Sequence, residues 1–261
     1  MWNSFIYFAS AAIAFWLLGI LFSYKQKRTT ASTLIYTIGT LTIGLFIVTL
    51  WLELERPPMR TLGETRLLYT LFAPLIGAII YFRWGYRWIL SYSTMMAAVF
   101  IIINLAKPET HSKELMPALQ SPWFIPHVVV YIFSYALLGA SSLVALYGIY
   151  ARYRQQFDEK LLYVADNLVY VGYSFLTMGL IFGALWAKEA WGHYWTWDPK
   201  ETWAFITWFG YLTYIHLRYQ HRNRADAALW SLAAAFVILL ICWFGISYLP
   251  SAQNSIHIYN Q

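Results

Sequence analysis

The chain has 261 residues, of which 60% are hydrophobic and only 11% are charged. Soluble globular domains carry about 25% charged residues, so this composition excludes an ordinary soluble domain and indicates a protein that crosses a membrane several times. The formal net charge of +6 matters through its distribution between loops, because basic residues orient membrane helices.

Eight apolar segments approach the ~20 residues that a helix needs to span a bilayer. The sequence therefore predicts an all-α fold, a polytopic membrane helical bundle of about eight transmembrane helices with a Trp-rich outer loop. Residues 1–261 are interpreted as one membrane domain, because no long linker or internal repeat interrupts them. The predicted spans are 4–24, 33–54, 67–82, 88–106, 127–150, 164–187, 203–220 and 228–248.

The orientation of the spans follows from the basic residues in the loops. With the N-terminus outside, the inner loops hold eleven of the eighteen Lys and Arg residues: Lys25, Lys27, Arg28, Arg83, Arg87, Arg152, Arg154, Lys160, Arg218, Arg222 and Arg224. The positive-inside rule then places both termini outside. The outer segments are the loop 107–126, the Trp-rich segment 186–208 and the tail 249–261, which we expect to fold back onto the outer face.

The only cysteine, Cys242, lies inside the last apolar segment. One thiol cannot form an internal disulfide or a Cys-x-x-Cys redox pair, and the simplest interpretation is a small buried hydrophobic residue. Any thiol chemistry that this protein assists must therefore use the cysteines of another protein.

Six of the fourteen tryptophans lie within residues 186–208: Trp186, Trp191, Trp195, Trp197, Trp203 and Trp208. Indole rings at this density can form an aromatic platform, and their position between two apolar segments places them where a membrane meets water. Such a platform suits a flat, mostly apolar ligand with a polar edge, and haem is a ligand of this kind.

Histidine is a common axial ligand of haem iron, and three of the six histidines are candidates. His127 begins the fifth span and His257 lies in the outer tail; each alone could be simply solvated, but together they could approach the platform from two sides. His216 lies thirteen residues after Trp203, about 20 Å deeper in the membrane. A polar group at that depth is a functional candidate, although His216 could also reach the inner surface beside Arg218.

The remaining polar candidates have strong structural interpretations. Asp198, Pro199 and Glu201 form the pattern of a capped helix start, whereas Lys200 could face a haem propionate. Arg56 and Arg60 could bind a propionate or anchor the chain at the interface. His193 is interpreted as a platform residue or hydrogen-bond donor, and His111 and His221 as solvated surface residues.

The stretch from Trp191 to Trp203, Trp-Gly-His-Tyr-Trp-Thr-Trp-Asp-Pro-Lys-Glu-Thr-Trp, resembles the tryptophan-rich "WWD" signature of haem-handling proteins in cytochrome c maturation. The Pro-Lys-Glu-Thr-Trp continuation is most similar to the CcsA/ResC type of the System II pathway. The resemblance extends over nearly the whole chain, through the span count, the outer Trp-rich loop and a histidine on each side of it. The chain departs from the family pattern in being short and in ending with Ser-Ile-His-Ile-Tyr instead of His-Ser-Tyr.

The resemblance implies that His127 and His257 are axial ligands of the haem iron and that His216 is one of a histidine pair within the membrane. The other member of that pair would come from a CcsB/ResB-type partner. The haem is haem b, a substrate in transit. The residues that the resemblance and the platform assign to haem binding are His127, His257, His216, Trp191, Tyr194, Trp195, Trp197, Asp198, Lys200 and Trp203.

The expected function is cytochrome c biogenesis, in which the protein binds haem at the outer face and presents it to apocytochrome c for thioether attachment to Cys-x-x-Cys-His. The protein would export haem or receive it, as a component of a holocytochrome c synthase (haem lyase) complex in a bacterial or plastid energy-transducing membrane. Membrane lipid is an expected partner and nucleic acid is not. Two alternatives remain: a scaffold that docks apocytochrome without ligating haem, and a haem transporter without synthase activity.

Overall fold

The computed structural model describes residues 2–25, 30–111, 117–246 and 255, and the structural statements below refer to these residues. They form eight long helices: α1 (Phe5–Lys25), α2 (Thr30–Leu54), α3 (Leu62–Trp84), α4 (Arg87–Ala106), α5 (Phe124–Tyr153), α6 (Lys160–Trp191), α7 (Pro199–Gln220) and α8 (Ala225–Leu240). Short 3-10 turns lie at Trp2–Ser4, Pro108–His111 and Pro117–Gln120, and a π-helical turn at Ile241–Gly245 follows α8. These ranges contain no strand, so the predicted all-α fold class is confirmed.

Seven helices are long and apolar enough to cross a membrane, which confirms the predicted polytopic bundle. The exception among the eight long helices is α7, which corresponds to the predicted span 203–220. Its sequence mixes apolar residues with Trp, Tyr and Thr and ends in His-Leu-Arg-Tyr-Gln. Composition alone therefore does not drive α7 into a bilayer as it does the other seven helices.

The observed helices depart from the predicted bounds by several residues, and two of these differences have a clear local cause. Helix α3 begins at Leu62 instead of residue 67, because Thr61 and Glu64 form a capping box that starts the helix earlier. Its internal Pro74 does not end it, as is common in membrane helices. Helix α6 continues to Trp191 instead of ending at residue 187, and Gly192 ends it with a left-handed backbone (φ 84°).

The chain divides into two compact units, Met1–Leu115 and Met116–Gln261. In the first unit, α1–α4 pack closely at small residues, since a Cβ on Gly39 would lie 2.8 Å from the carbonyl oxygen of Ala12. Buried polar pairs also join these helices, such as Trp16 Nε1 donating to Thr40 Oγ1 at 3.1 Å. The prediction of one membrane domain over residues 1–261 stays a prediction.

In the second unit, α5 and α6 pack along much of their lengths, and α7 and α8 complete the group. The surface of α6 that faces α5 carries Gly172, Gly179 and Gly183, each of which would collide with an α5 side chain if it had a Cβ. Small residues allow membrane helices to approach this closely. Ser134 Oγ of α5 donates to the Gly172 carbonyl at 2.7 Å, so the contact is also polar.

Candidate functional site

His127 lies in the first turns of α5, and its Nδ1 is 2.9 Å from the carbonyl oxygen of Gly179 in α6. A carbonyl oxygen can only accept, so Nδ1 is the donor and the neutral ring carries its lone pair on Nε2. Histidines that bind metals commonly donate their other ring N–H to a carbonyl or carboxylate, which fixes the tautomer and the ring orientation. The hydrogen bond therefore fixes the orientation of the imidazole and, in its neutral form, the tautomer that is protonated at Nδ1.

Two glycines of α6 make room for this contact. A Cβ on Gly183 would lie 2.9 Å from both Nδ1 and Cε1 of His127, and a Cβ on Gly179 would lie 2.5 Å from the ring of Tyr131. Larger residues at either position would push the α5 side chains away from the α6 backbone. The Gly179-x-x-x-Gly183 pattern thus determines where the imidazole sits.

Aromatic rings surround His127 on its other sides. The ring of Trp186 stacks on the imidazole with centroids 5.4 Å apart, and Tyr131 meets it edge-on at 4.8 Å. Trp186 is only 4% exposed, and its Nε1 donates to the carbonyl oxygen of Ala118 at 2.7 Å. Trp191 packs edge-on against Trp186 at 4.9 Å, so the structure brings His127 together with the beginning of the Trp-rich segment.

A second set of aromatic contacts runs through the rest of this segment. Trp195 and Trp197 meet edge-on with centroids 5.7 Å apart, Trp197 contacts Phe205 at 6.0 Å, and Phe205 stacks on Trp208 at 5.9 Å. Trp208 Nε1 donates to Thr177 Oγ1 of α6 at 3.0 Å, which holds α7 against α6. These four rings therefore form a chain of contacts, and the predicted role of the tryptophans as a ligand platform stays a prediction.

Among the aromatic residues assigned to haem binding, Trp197 and Tyr194 are exposed, with 64% and 56% of their surface accessible, whereas Trp191, Trp195 and Trp203 are half-buried. Trp197 has a left-handed backbone (φ 59°), which is unusual for a residue with a bulky side chain and costs about 1–3 kcal/mol. Strain of this kind concentrates at functional sites. The exposed indole of Trp197 is thus held in place by the surrounding loop.

The predicted capping box at the start of α7 is confirmed. Asp198 Oδ1 accepts from the backbone N–H of Lys200 at 2.9 Å, and Glu201 Oε2 accepts from the N–H groups of Asp198 and Thr196 at 3.1 and 2.8 Å. These bonds fix the loop to the helix. Burial lowers the pKa of the half-buried Lys200, and the carboxylate of Asp198 opposes that effect.

The tail contacts the same cap. Ser255 is buried, and its hydroxyl donates to Asp198 Oδ1 at 3.0 Å. The chain therefore returns to the Trp-rich segment at Ser255, as expected for a tail that folds back. His257 itself lies outside the described residues, so its predicted ligand role stays a prediction.

His216 lies on the exposed face of α7. The neighbouring Arg218 does not extend beside it: its Nη2 pairs with Asp166 Oδ2 of α6 at 2.8 Å, and Tyr214 OH donates to Asp166 Oδ1 at 2.7 Å. These contacts turn Tyr214 and Arg218 toward α6 and leave His216 on the outside of the second unit. An exposed imidazole there is available to a partner.

The structure also shows the positions of the two arginines and two further histidines that the sequence singled out. Arg56 is bonded to the buried carboxylate of Glu64, with Nη1 to Oε2 at 3.1 Å and Nη2 to Oε1 at 2.9 Å, which gives this guanidinium a structural role. The backbone N–H of Arg60 donates to the same carboxylate at 2.7 Å. His221 is exposed, as predicted, and His193 is also exposed.

The interpretation of His111 as a solvated residue is wrong. It is half-buried and stacks on Trp2 with ring centroids 3.6 Å apart and an interplanar angle of 6°. A Cβ on Gly63 would lie 2.5 Å from its Cδ2. Burial, and then the charge of Arg66, lower the pKa of His111. The side chain therefore belongs to the packing of the first unit.

Sequence reasoning missed the residues that hold the site in place, namely Gly179, Gly183, Ser255 and Asp166. The glycine pair had a detectable signal, because a Gly-x-x-x-Gly pattern in an apolar segment indicates close helix contact. Asp166 is an acidic residue inside a predicted span, which is also a recognised indicator. Ser255 had no such signal.

Comparison with known proteins supports the resemblance noted from the sequence. The profile of the family described as cytochrome c assembly protein matches residues 58–252. The chain is 33% identical to the cytochrome c biogenesis protein CcsA of Cuscuta exaltata, over 80% of this chain and 79% of the relative. It is 34% identical to the CcsA protein of Solanum bulbocastanum, over 80% of each chain, and 31% identical to that of Mesostigma viride, over 95% of each chain.

Proposed function

Because the chain belongs to the cytochrome c assembly protein family, among its CcsA-type members, and serves cytochrome c biogenesis, we propose that it holds haem for attachment to apocytochrome c. In this proposal the Trp-rich segment 186–208 faces the outer side of the membrane and carries the haem, and His127 is an axial ligand of its iron. Haem is a substrate that enters and leaves, not a permanent cofactor.

The observation that carries the proposal is the hydrogen bond between His127 Nδ1 and the Gly179 carbonyl. It selects the tautomer whose Nε2 can bind iron, and it holds the ring against α6. The stacking of Trp186 on the same ring places the ligand beside the aromatic segment.

His257 is proposed as the second axial ligand. The supporting contact is the hydrogen bond from Ser255 to Asp198, because it brings the tail back to the Trp-rich segment. Two residues of extended chain span at most about 7 Å, which is the largest separation allowed between the Cα atoms of Ser255 and His257. Lys200, beside the same carboxylate, is proposed to pair with a haem propionate.

The contribution of this chain to thioether formation is then positioning. The two imidazoles fix the position of the iron, and the indoles together with the pairing of Lys200 with a propionate set the rotation of the porphyrin, so that the vinyl groups face the approaching polypeptide. The histidine of the Cys-x-x-Cys-His segment replaces one axial ligand, and the thiols of its two cysteines add across the C=C bonds of the vinyl groups. Correct placement of two reactants can lower a barrier by several kcal/mol.

His216 is proposed to bind haem in transit, together with a histidine of a CcsB/ResB-type partner. Its exposure on α7 supports this, because a ligand shared between two proteins must lie at the surface of each. The chain would then export haem across an energy-transducing membrane to the outer site, as part of a holocytochrome c synthase complex.

The test is to replace His127 with Gly and to express the variant together with the partner subunit. The matched control is His221→Gly, which removes an exposed imidazole from the turn between α7 and α8, outside the Trp-rich segment. We expect H127G to lose the Soret absorbance of the purified complex and to regain it with added imidazole, whereas H221G keeps it. Immunoblotting of the membranes separates loss of haem from loss of protein.

The alternatives give different results. If the wild-type complex has no Soret band but still binds apocytochrome, the protein is a scaffold. If it carries haem but thioether attachment does not require His127, it is a haem transporter. Unchanged haem content in both H127G and a His257→Gly variant would remove the ligand assignment.

A further inference from the structure

A cavity of about 300 Å³ lies in the second unit, between the 3-10 turn that precedes α5 and the last turns of α6. Its lining is formed by Pro117, Ala118, Gln120, Ser121, Glu189 and Ala190. Glu189 and Ala190 lie in the Trp-rich segment, but neither is among the residues assigned to haem binding. The cavity is therefore a separate feature of the same end of α6.

The walls of the cavity are fixed by hydrogen bonds. The backbone N–H of Trp123 donates to Ser121 Oγ at 3.2 Å, and Ser121 Oγ donates to Glu189 Oε2 at 2.7 Å. Across the same gap, Trp186 Nε1 donates to the Ala118 carbonyl. The Glu189 carboxylate is thus held in one orientation before any ligand arrives, although the residue is exposed.

The cavity and His127 share one neighbour, Trp186. Its indole joins the two walls of the cavity and also stacks on the imidazole. Glu189 follows Trp186 by three residues, so the two side chains lie on the same face of α6, one turn apart. A polypeptide that placed a side chain in the cavity would therefore approach the indole that packs on the imidazole.

The charge of the cavity selects its ligand. Glu189 is the charged residue among those that line it, and Ser121 and Gln120 add polar atoms. The adjacent Lys188 is directed elsewhere, since its Nζ donates to the Gly192 carbonyl at 2.8 Å and lies over the ring of Tyr194. A preorganised carboxylate in a small polar cavity fits the ammonium or guanidinium end of one long side chain.

We propose that this cavity binds a Lys or Arg side chain of the apocytochrome segment that flanks the haem-attachment motif, and that Glu189 thereby positions this segment beside His127. The inference rests on the proposed function, because it assumes that apocytochrome is the polypeptide that approaches His127. It adds a specificity determinant for that polypeptide: a basic residue near Cys-x-x-Cys-His.

The test measures binding of a fluorescent synthetic peptide to the purified full chain with its partner subunit. The peptide contains Cys-x-x-Cys-His and one flanking Lys, and a second peptide has norleucine in place of that Lys. The variants are Glu189→Gln and, as a matched control, Glu159→Gln, which neutralises an exposed carboxylate at the opposite end of α6.

We expect E189Q to weaken binding of the Lys peptide by about fivefold, as for a partly exposed ion pair, and to leave the norleucine peptide unchanged. E159Q should not distinguish the two peptides. Glu189→Lys should reverse the preference, so that a peptide with Glu at the same position binds better than the Lys peptide. A purely structural role of Glu189 would not produce this reversal.

The inference is overturned if E189Q weakens both peptides equally, or if E189K does not reverse the preference. Haem content is recorded in the same samples, which separates this result from the proposed function. If the wild-type complex shows no Soret band but still binds the Lys peptide in preference to the norleucine peptide, the haem proposal is removed and the cavity assignment stays in place.

Discussion

The first turns of α5 and the middle of α6 are joined by one polar contact, between His127 Nδ1 and the carbonyl oxygen of Gly179, 2.9 Å apart. The contact depends on two glycines. Gly179 supplies the carbonyl, and Gly183 leaves space for the imidazole, because a Cβ there would lie 2.9 Å from Nδ1 of His127. The position of the proposed ligand is therefore determined by the packing of two helices and not by a flexible loop.

Replacing Gly183 with Ala should displace the imidazole, because the new Cβ would lie 2.9 Å from Nδ1 and Cε1 of His127. We expect lower haem occupancy and a shifted Soret band in the purified complex, with a stability loss of about 1–3 kcal/mol from overpacking. The control is Gly210→Ala in α7, where a Cβ would meet no side chain closer than 3.5 Å. Equal spectra for the two variants would contradict the prediction.

Replacing Asp166 with Asn should destabilise the second unit strongly. Asp166 and Arg218 form an ion pair in which the side chains are only 15% and 8% exposed, and breaking such a pair costs about 3–5 kcal/mol. The matched control is Asp226→Asn, since Asp226 pairs with Arg152 at 63% and 40% exposure and should cost less than about 1 kcal/mol. Thermal unfolding in detergent measures both, and similar midpoints would disprove the distinction.

Stability of the first unit should depend on pH through His111. Burial lowers the pKa of this imidazole, the charge of Arg66 lowers it further, and Glu109 and Glu64 oppose the shift. The unfolded chain then binds a proton more readily than the folded one. The contribution of neutral His111 is complete above its ordinary pKa of about 6.5 and is lost as pH falls below it toward the lower pKa of the folded state.

Thermal unfolding midpoints in detergent, measured between pH 7 and about 4, a range set by the pKa of histidine, report this dependence. His111→Gln should remove the pH dependence, whereas His221→Gln, which changes an exposed histidine, should keep it. The same dependence in H111Q would show that another group is responsible.

Replacing Asp198 with Ala should cost about 1 kcal/mol through loss of the α7 N-cap, and it should also release the tail from Ser255. Asp198→Asn retains an acceptor oxygen and should behave nearly as wild type. Ser255→Ala should release the tail without affecting the cap. Hydrogen exchange of the tail and thermal unfolding distinguish these effects, and tail protection that is unchanged in S255A would argue against the contact.

The fold class and the eight helices could be predicted from the sequence because long apolar runs and the Asp198 cap are local signals. The start of α3 was missed although Thr61–Glu64 is also a local capping-box pattern, because it precedes the apolar run from which the span was predicted. The position of His111 against Trp2 was also missed, because it depends on residues more than one hundred positions apart. The sequence shows that a histidine is present, but it does not show which distant residues pack against it.

The same limit applies to the candidate site. The tryptophan cluster and His127 were evident as residue types, and the resemblance supplied their pairing. The tautomer of His127 could not be predicted, because it is determined by a backbone carbonyl 52 residues away. The tail contact at Ser255 joins residues 57 positions apart and likewise has no local signature.

The pairing of Arg218 with Asp166 bears on how α7 enters the bilayer during synthesis. Alone, α7 has too little apolar surface for efficient partitioning from the translocon, and an uncompensated guanidinium would add to the cost. With α6 already inserted, the carboxylate neutralises that charge, and α8 follows after only a short turn. We therefore expect α7 and α8 to insert as a helical hairpin, and α7 to fail to integrate when it is expressed without its neighbours.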